Sequence, residues 1–250
     1  MELAQRLLSS IFPSRCILCQ QIVLEHAINQ HVEICSGCYQ VLPHNKYCCA
    51  HCALPLPEDV GLDCINKNDI LCGRCIKQAP QFDYSYSLFR YQDEVIRLIH
   101  RLKFGEKVSY ARSIGELLLT TVVDKLLPEQ GRPECIIPVP LHNRRLRQRG
   151  YNQSTEISRV LSKKMGLAIE HDVVLRQRST LTQTGLKAKQ RQKNIKGAFK
   201  VMRRLNAKHV LLVDDVITTG STVNELAKVL KQSGIERIGV LSIARAPLKS

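Results

Sequence analysis

The chain contains no tryptophan, and only seven Tyr and five Phe in 250 residues. Little π surface is available for stacking successive bases, so any contact with nucleic acid must rest on charge rather than on aromatic platforms. No apolar run approaches the ~18 residues that a membrane-crossing helix requires, which excludes a helical span. The first twelve residues place Glu2 in a broken apolar pattern and read as a short amphipathic helix, not a secretory signal, so a cytoplasmic location is expected. An acidic excess is missing too, with 37 Lys and Arg against 22 Asp and Glu. The basic surplus is concentrated: residues 1–80 hold 6 basic against 7 acidic side chains, whereas residues 142–204 hold 17 against 3. A dispersed surplus would be a solvated face. One confined to a single stretch implies a polyanionic partner, either nucleic acid or a phosphorylated metabolite.

Cysteine is plentiful by contrast, with 11 residues. Eight of them form four Cys-x-x-Cys pairs: Cys16 and Cys19, Cys35 and Cys38, Cys49 and Cys52, Cys72 and Cys75. A pair at this spacing can offer two thiolates to one tetrahedral ion, and two pairs complete a Cys₄ zinc site. A single such pair in a reducing compartment would also suit redox chemistry, but four in tandem point to one or two Zn²⁺ ions. Fifteen residues separate the first two pairs and nineteen the last two. Sequential pairing, first with second and third with fourth, closes the shorter loops and is expected on that ground. Cys48 and Cys64 are spare, and His31, His44 and His51 are weaker ligand candidates. A segment this short and poor in apolar residues needs metal to supply folding free energy.

After Pro80 the pattern changes, which suggests a boundary between a cysteine module (1–80) and an α/β domain (81–250). Expected elements are a strand at 82–91, a helix at 92–104 with Val95, Ile99 and Leu102 on its apolar face, and a helix at 109–127. A strand follows at 135–141, ended by prolines. Residues 142–152, HNRRLRQRGYN, read as an arginine-rich turn in which Gly150 permits close backbone approach. A helix at 153–165, strands at 173–176 and 197–202, and a final strand at 237–243 complete the pattern. Residues 177–196 have weak periodicity and read as a long loop or hood. Alternating helices and strands of this kind indicate an open parallel sheet.

Residues 210–222, VLLVDDVITTGST, carry the most chemistry. A four-residue apolar strand ends at Asp214 and Asp215, and Thr218, Thr219, Gly220, Ser221 and Thr222 then open a helix at 223–231. A turn of small hydroxylated residues at a helix start gathers N–H groups around an anion and suits a phosphate. Adjacent carboxylates suit a diol or a hydrated Mg²⁺. A sugar phosphate carries both groups. Thr222 and Glu225 could alternatively form a capping box, which leaves the acid pair unexplained. In an open parallel sheet, ligands bind beyond the carboxyl ends of strands, so the arginines of 144–149 should face the same edge.

This segment resembles the PRPP-binding motif of type I phosphoribosyltransferases. The resemblance implies an α/β fold of that type, with Asp214 and Asp215 on the ribose hydroxyls, Thr218 to Thr222 on the 5′-phosphate, and Mg²⁺ accompanying PRPP. Arg144 or Arg147 would lie near the pyrophosphate, and Asp214 and Asp215 would be the catalytic pair if the site turns over. Three features together resemble the ComF/GntX competence-protein family: the cysteine module, the block PVPLHNRRLRQRGYNQS, and the block TLTQTGLKAKQRQKNIKGAF with Thr180, Gln183, Arg191, Asn194 and Gly197 to Phe199. That resemblance implies a role in natural transformation and handling of incoming single-stranded DNA, with a DNA-translocating helicase or channel component as a protein partner. Arg145, Arg149, Lys187, Lys189, Arg191 and Lys193 are the expected DNA contacts. An active phosphoribosyltransferase with an unidentified acceptor and a PRPP-sensing regulator are the competing expectations.

Overall fold

The computed structural model describes residues 13–23, 25–26, 28–29, 31–57, 70–104, 108–121, 130–178 and 195–248. The expected N-terminal helix, Cys64, and Lys187, Lys189, Arg191 and Lys193 lie outside the described residues, as do Thr180, Gln183 and Asn194. In chain order the elements are α1 (Ser36–Gln40), α2 (Gly73–Lys77), β1 (Tyr84–Arg90), α3 (Asp93–Phe104), α4 (Val108–Thr121), β2 (Cys135–Pro138), α5 (Asn143–Arg149) and α6 (Gln153–Met165). They continue with β3 (Ala168–Ile169), β4 (Val174–Arg176), β5 (Phe199–Val201), β6 (His209–Ile217), α7 (Ser221–Gln232) and β7 (Arg237–Arg245). No helix among the described residues is long and apolar enough to cross a membrane.

Five strands form one parallel sheet in the order β1-β7-β6-β2-β3, with β6 at its centre. A parallel sheet needs cover on both faces, and the residues of β6 divide accordingly. Leu211 and Val213 enter one core and Val210 and Leu212 the other, all four fully buried. On the first face they meet α3 through Leu98, Ile99 and Leu102, α4 through Ile114 and Leu118, and α6 through Ile157 and Leu161. On the second they meet α7 through Val223, Leu226 and Leu230, together with Phe199 and Val174 of a small antiparallel pair, β4 with β5.

The cysteine segments seal opposite faces of this sheet. Cys16, Ile17, Val32 and Ile34 belong to the first core, and Cys49, Cys52, Leu54, Cys72 and Cys75 to the second. Residues on either side of position 80 therefore share both cores.

Several local expectations are revised. Residues 143–149 form α5, not an open turn, since the His142 side chain accepts from the Arg144 N–H at its start. Gly150 closes that helix in the left-handed region at φ 77°, a conformation glycine adopts without strain. No described protein atom lies within 4 Å of where a Cβ would stand on it, so the helix end, not crowding by the protein, is what calls for glycine here. The strands near 174 and 199 leave the parallel sheet and pair antiparallel with each other. Glu225 caps no helix start: Gly220 is the N-cap of α7, and Glu225 Oε1 accepts from the Gly197 N–H 2.8 Å away. The helix expected over 153–165 appears with those bounds as α6, capped by Asn152 and Gly166.

Candidate functional site

In each cluster the first Cys-x-x-Cys pair sits on a tight turn whose next residue turns left-handed, whereas the second pair opens a short helix, with Cys35 the N-cap of α1 and Cys72 that of α2. In the first segment that residue is Gln20, at φ 65°, and in the second Ala53, at φ 53°. Neither has glycine's freedom, so each such turn costs about 1–2 kcal/mol and persists only where the surroundings hold it. The structure brings Cys16, Cys19, Cys35 and Cys38 together in one cluster and Cys49, Cys52, Cys72 and Cys75 in another, with all sulfurs of a cluster within 4.8 Å of one another. Cys19 and Cys35 sulfurs lie 3.9 Å apart, and those of Cys52 and Cys72 3.7 Å apart. Four sulfurs at ordinary Zn–S distances around a tetrahedral ion are separated by about 3.8 Å, so both donor sets fit Zn²⁺. Four crowded thiols share their charge unevenly. Donation from Cys52 pulls the Cys49 thiol down to about 4, and the same contact pushes Cys52 up. A dication lets all four serve as thiolates.

The spare candidates have other partners. The ring nitrogens of His44 and His51 bond the Tyr39 and Phe82 carbonyl oxygens at 3.0 and 2.6 Å. Cys48 stands outside both clusters, its thiol raised to about 11 by burial. His31 is not a member of either cluster.

Asp214 and Asp215 lie within β6, not beyond its end. Pairing with β7 continues to Ile217 opposite Arg245, but pairing with β2 stops at Val213 opposite Pro138. The acids therefore stand past the end of β2 while the other side of β6 holds them rigid. Asp214 Oδ1 accepts from the Asp215 N–H at 2.8 Å and from Ser154 Oγ at 3.4 Å. Asp215 Oδ2 pairs with Lys103 Nζ of α3 at 2.9 Å. Burial, and then the charge of Asp215, push the Asp214 carboxyl up to about 7, while Lys103 and Arg176 pull the other way.

The loop that follows is organised from within and from behind. Gly220 takes φ 79° to open α7, a left-handed position that suits glycine. Thr219 Oγ1 and Ser221 Oγ lie 2.8 Å apart, and the Ser221 N–H donates to Thr219 Oγ1 at 3.3 Å. Thr218 and Thr222 are half-buried beside them. Behind the loop, the buried guanidinium of Arg245 donates to the carbonyl oxygens of Ile217 at 3.1 Å and of Thr218. Loop hydroxyls and the N–H groups of a helix start thus stand beside two carboxylates, an arrangement whose chemistry suits an anion next to a diol or a cation.

The four arginines of α5 divide by exposure. Arg144 and Arg147 are exposed, whereas Arg145 and Arg149 are half-buried. Arg149 donates to Gln153 Oε1 at 3.1 Å. Arg145 is electrostatically engaged with Asp215; burial and the neighbouring Arg149 pull its guanidinium below the ordinary value. Arg176 of β4 is also turned inward. Burial lowers it to about 10, and it senses both Arg145 and Asp214. Lys103, Ser154, Arg176 and Arg245 were not among the residues expected at this site. Lys103 offered a faint signal as a polar-face residue in the last turn of an amphipathic helix, and Arg245 as a lone charge ending an apolar strand.

A double zinc ribbon joined to a phosphoribosyltransferase-type α/β domain is the class of protein these parts define. The chain matches the double zinc ribbon domain over residues 7–76 and the phosphoribosyl transferase domain over residues 148–249. It is 37% identical to Competence protein F of Haemophilus influenzae across 95% of this chain and 99% of that protein. It is also 33% identical to the DNA utilization protein YhgH of Shigella flexneri, and 32% identical to that of Escherichia coli K12, each across 93% of this chain and 97% of the relative. The chain belongs to the ComF/GntX family of competence proteins.

Proposed function

We propose that this protein binds PRPP with Mg²⁺ at the carboxyl edge of its parallel sheet and handles single-stranded DNA in the cytoplasm during DNA uptake. The observation that carries the reading is the continuity of β6, the Gly220 loop and α7, which sets a rigid acid pair beside an anion cradle. Asp214 and Asp215 take the ribose hydroxyls, and Thr218 to Thr222 take the 5′-phosphate. Arg145 serves the pyrophosphate from within, with Arg144 and Arg147 at the exposed rim. Mg²⁺, when bound, neutralises the pyrophosphate that the acid pair alone would repel. The relatives' names, competence and DNA utilization, support the DNA role. Arg149 and the basic segment containing Lys187, Lys189, Arg191 and Lys193 supply phosphate contacts, and a DNA-translocating helicase or channel component is the protein partner that fits.

Phosphoribosyl transfer is the second reading, and one observation favours it: a carboxyl held near neutrality at Asp214 can carry a proton to or from a reacting group. One preparation decides between them. PRPP with Mg²⁺ is titrated by calorimetry, fluorescent single-stranded DNA is bound at several salt concentrations, and pyrophosphate release is followed with bases, amines and DNA as acceptors. The proposal expects PRPP binding that Asp214→Ala abolishes, and DNA affinity that falls steeply as salt rises. Asp214-dependent pyrophosphate release would establish the enzyme. Wild-type protein that binds neither ligand near physiological salt would overturn the proposal.

A further inference from the structure

Arg245 joins two parts of the molecule that the sequence keeps far apart. Its Nε donates to the carbonyl oxygen of Cys52, a ligand-set residue of the second cluster, at 3.0 Å. Its Nη1 reaches the carbonyls of Ile217 and Thr218, where the anion loop begins, and the Ala246 carbonyl at 3.1 Å. The side chain is only 2% exposed, so these acceptors replace water entirely. A guanidinium is suited to this position because its rigid fork serves several acceptors at once, which an ammonium cannot do in the same geometry.

On the cluster side, the Cys52 carbonyl is aimed by the turn at Ala53, held left-handed at φ 53°. That turn is secured by Cys49, whose carbonyl accepts from the Ala53 N–H at 2.9 Å, and by buried Asn45, which donates to the Ala53 carbonyl at 2.9 Å. A zinc ion bound by Cys49, Cys52, Cys72 and Cys75 would clamp both ends of the turn. Its loss frees a strained conformation to relax and withdraws the acceptor from Arg245. The first cluster has no counterpart of this connection among the described contacts; its Ile17 carbonyl instead accepts from Arg101 of α3.

We infer that Arg245 is a positioning residue that ties the order of the 217–222 loop to zinc at the Cys49–Cys75 cluster, so that the loop is competent to take a phosphate only while that cluster is metallated. The inference rests on the reading of that loop as the phosphate site. By linkage the effect is reciprocal: phosphate binding tightens zinc at the second cluster and leaves the affinity of the first unchanged.

The full chain, loaded with zinc, is compared with Arg245→Met and Arg245→Lys by hydrogen–deuterium exchange and metal analysis. Arg245→Met is expected to keep its zinc after gel filtration, raise exchange in 217–222 about tenfold, leave residues 31–40 unchanged, and weaken PRPP binding about tenfold. Arg245→Lys should restore part of both. Should Arg245→Met fail to fold, wild-type protein is stripped in steps with a chelator. Peptides covering 49–56 and 70–77 report metal loss from the second cluster. Protection of 217–222 should disappear with theirs and not with that of 31–40. Loop exchange that ignores Arg245→Met, or that follows the first cluster, overturns the inference. Wild-type protein that shows the coupled exchange yet binds no PRPP overturns the phosphate reading instead and leaves the coupling standing.

Discussion

Replacing Asp214 by Asn should stabilise the protein in alkaline solution while abolishing PRPP binding. Asp214 is held at about 7 in the folded chain, against 3.8 for an ordinary carboxyl, because burial and Asp215 oppose its ionisation more strongly than Lys103 and Arg176 support it. The folded state therefore retains a proton that the unfolded state has lost. Its contribution is fully present below about pH 4, falls as pH rises, and is gone above about pH 7, where ionising Asp214 costs the folded state free energy. A difference of roughly three pH units corresponds to about 4 kcal/mol, reduced to about 2 because the side chain is not wholly removed from solvent. Asn is nearly isosteric and carries no such penalty. Urea unfolding at intervals from pH 5 to 8.5, with zinc saturating and Mg²⁺ absent, should give a wild-type curve that falls relative to Asp214→Asn, with the variant about 2 kcal/mol more stable at pH 8. Other titrating groups, His209 and Glu134 among them, occur in both proteins and cancel in the difference. Parallel curves, or a variant that is the weaker at pH 8, would refute the reasoning. A site that sacrifices stability for its ligand follows the common trade-off between the two.

Lys103→Met should destabilise the protein by about 2 kcal/mol, because it removes the direct ion-pair partner of the largely buried Asp215 carboxylate; adding Asp215→Asn should recover most of that loss in a double-mutant cycle. Gly220→Ala meets no atom closer than Ile217 Cγ2 at 3.9 Å, so its cost is conformational alone. A loss of about 1 kcal/mol, seen as a Tm drop of about 2–4 °C, is expected, together with weaker PRPP binding by calorimetry. Metal analysis of the intact chain should find two zinc ions and, for Cys72→Ser, one; wild-type protein that holds neither would show that the clusters do not serve as metal sites.

Legibility tracked how local the determining physics was. The bounds of α6 could be read because Asn152 and Gly166 cap it from within its own sequence, and the buried strand at 210–213 announced itself by an apolar run. Sequential pairing of the cysteines followed from loop length, and the structure gathers the sulfurs in that arrangement. Residues 143–149 were harder. Four arginines are compatible with turn and helix alike, and the deciding feature is a His142 ring acting as cap. The site's remaining cations come from α3, β4 and β7, each distant in sequence from Asp214. Nothing in the local pattern says that Lys103 swings toward Asp215 while Arg97 pairs with Glu94 at the surface. Arg245 was illegible for the same reason, since its partners are set by the register of β7 on β6 and by a cysteine turn nearly two hundred residues away.

The strand order also constrains how this chain can be made. β1 leaves the ribosome early but has a single ladder neighbour, β7, the last strand of the domain. Ser87 and Ser242, whose hydroxyls meet at 2.7 Å, are 155 residues apart. Until β7 is synthesised, β1 has only the short bridge of His44 to Phe89 beside it, β6 is open on one side, and both cores lack a wall. The cysteine clusters draw their sulfurs only from the first 75 residues and can load metal long before that. Metal bound there would hold the first third of the nascent chain while it waits for β7, and any truncation that removes β7 should yield a metal-bound product that aggregates rather than a smaller working protein.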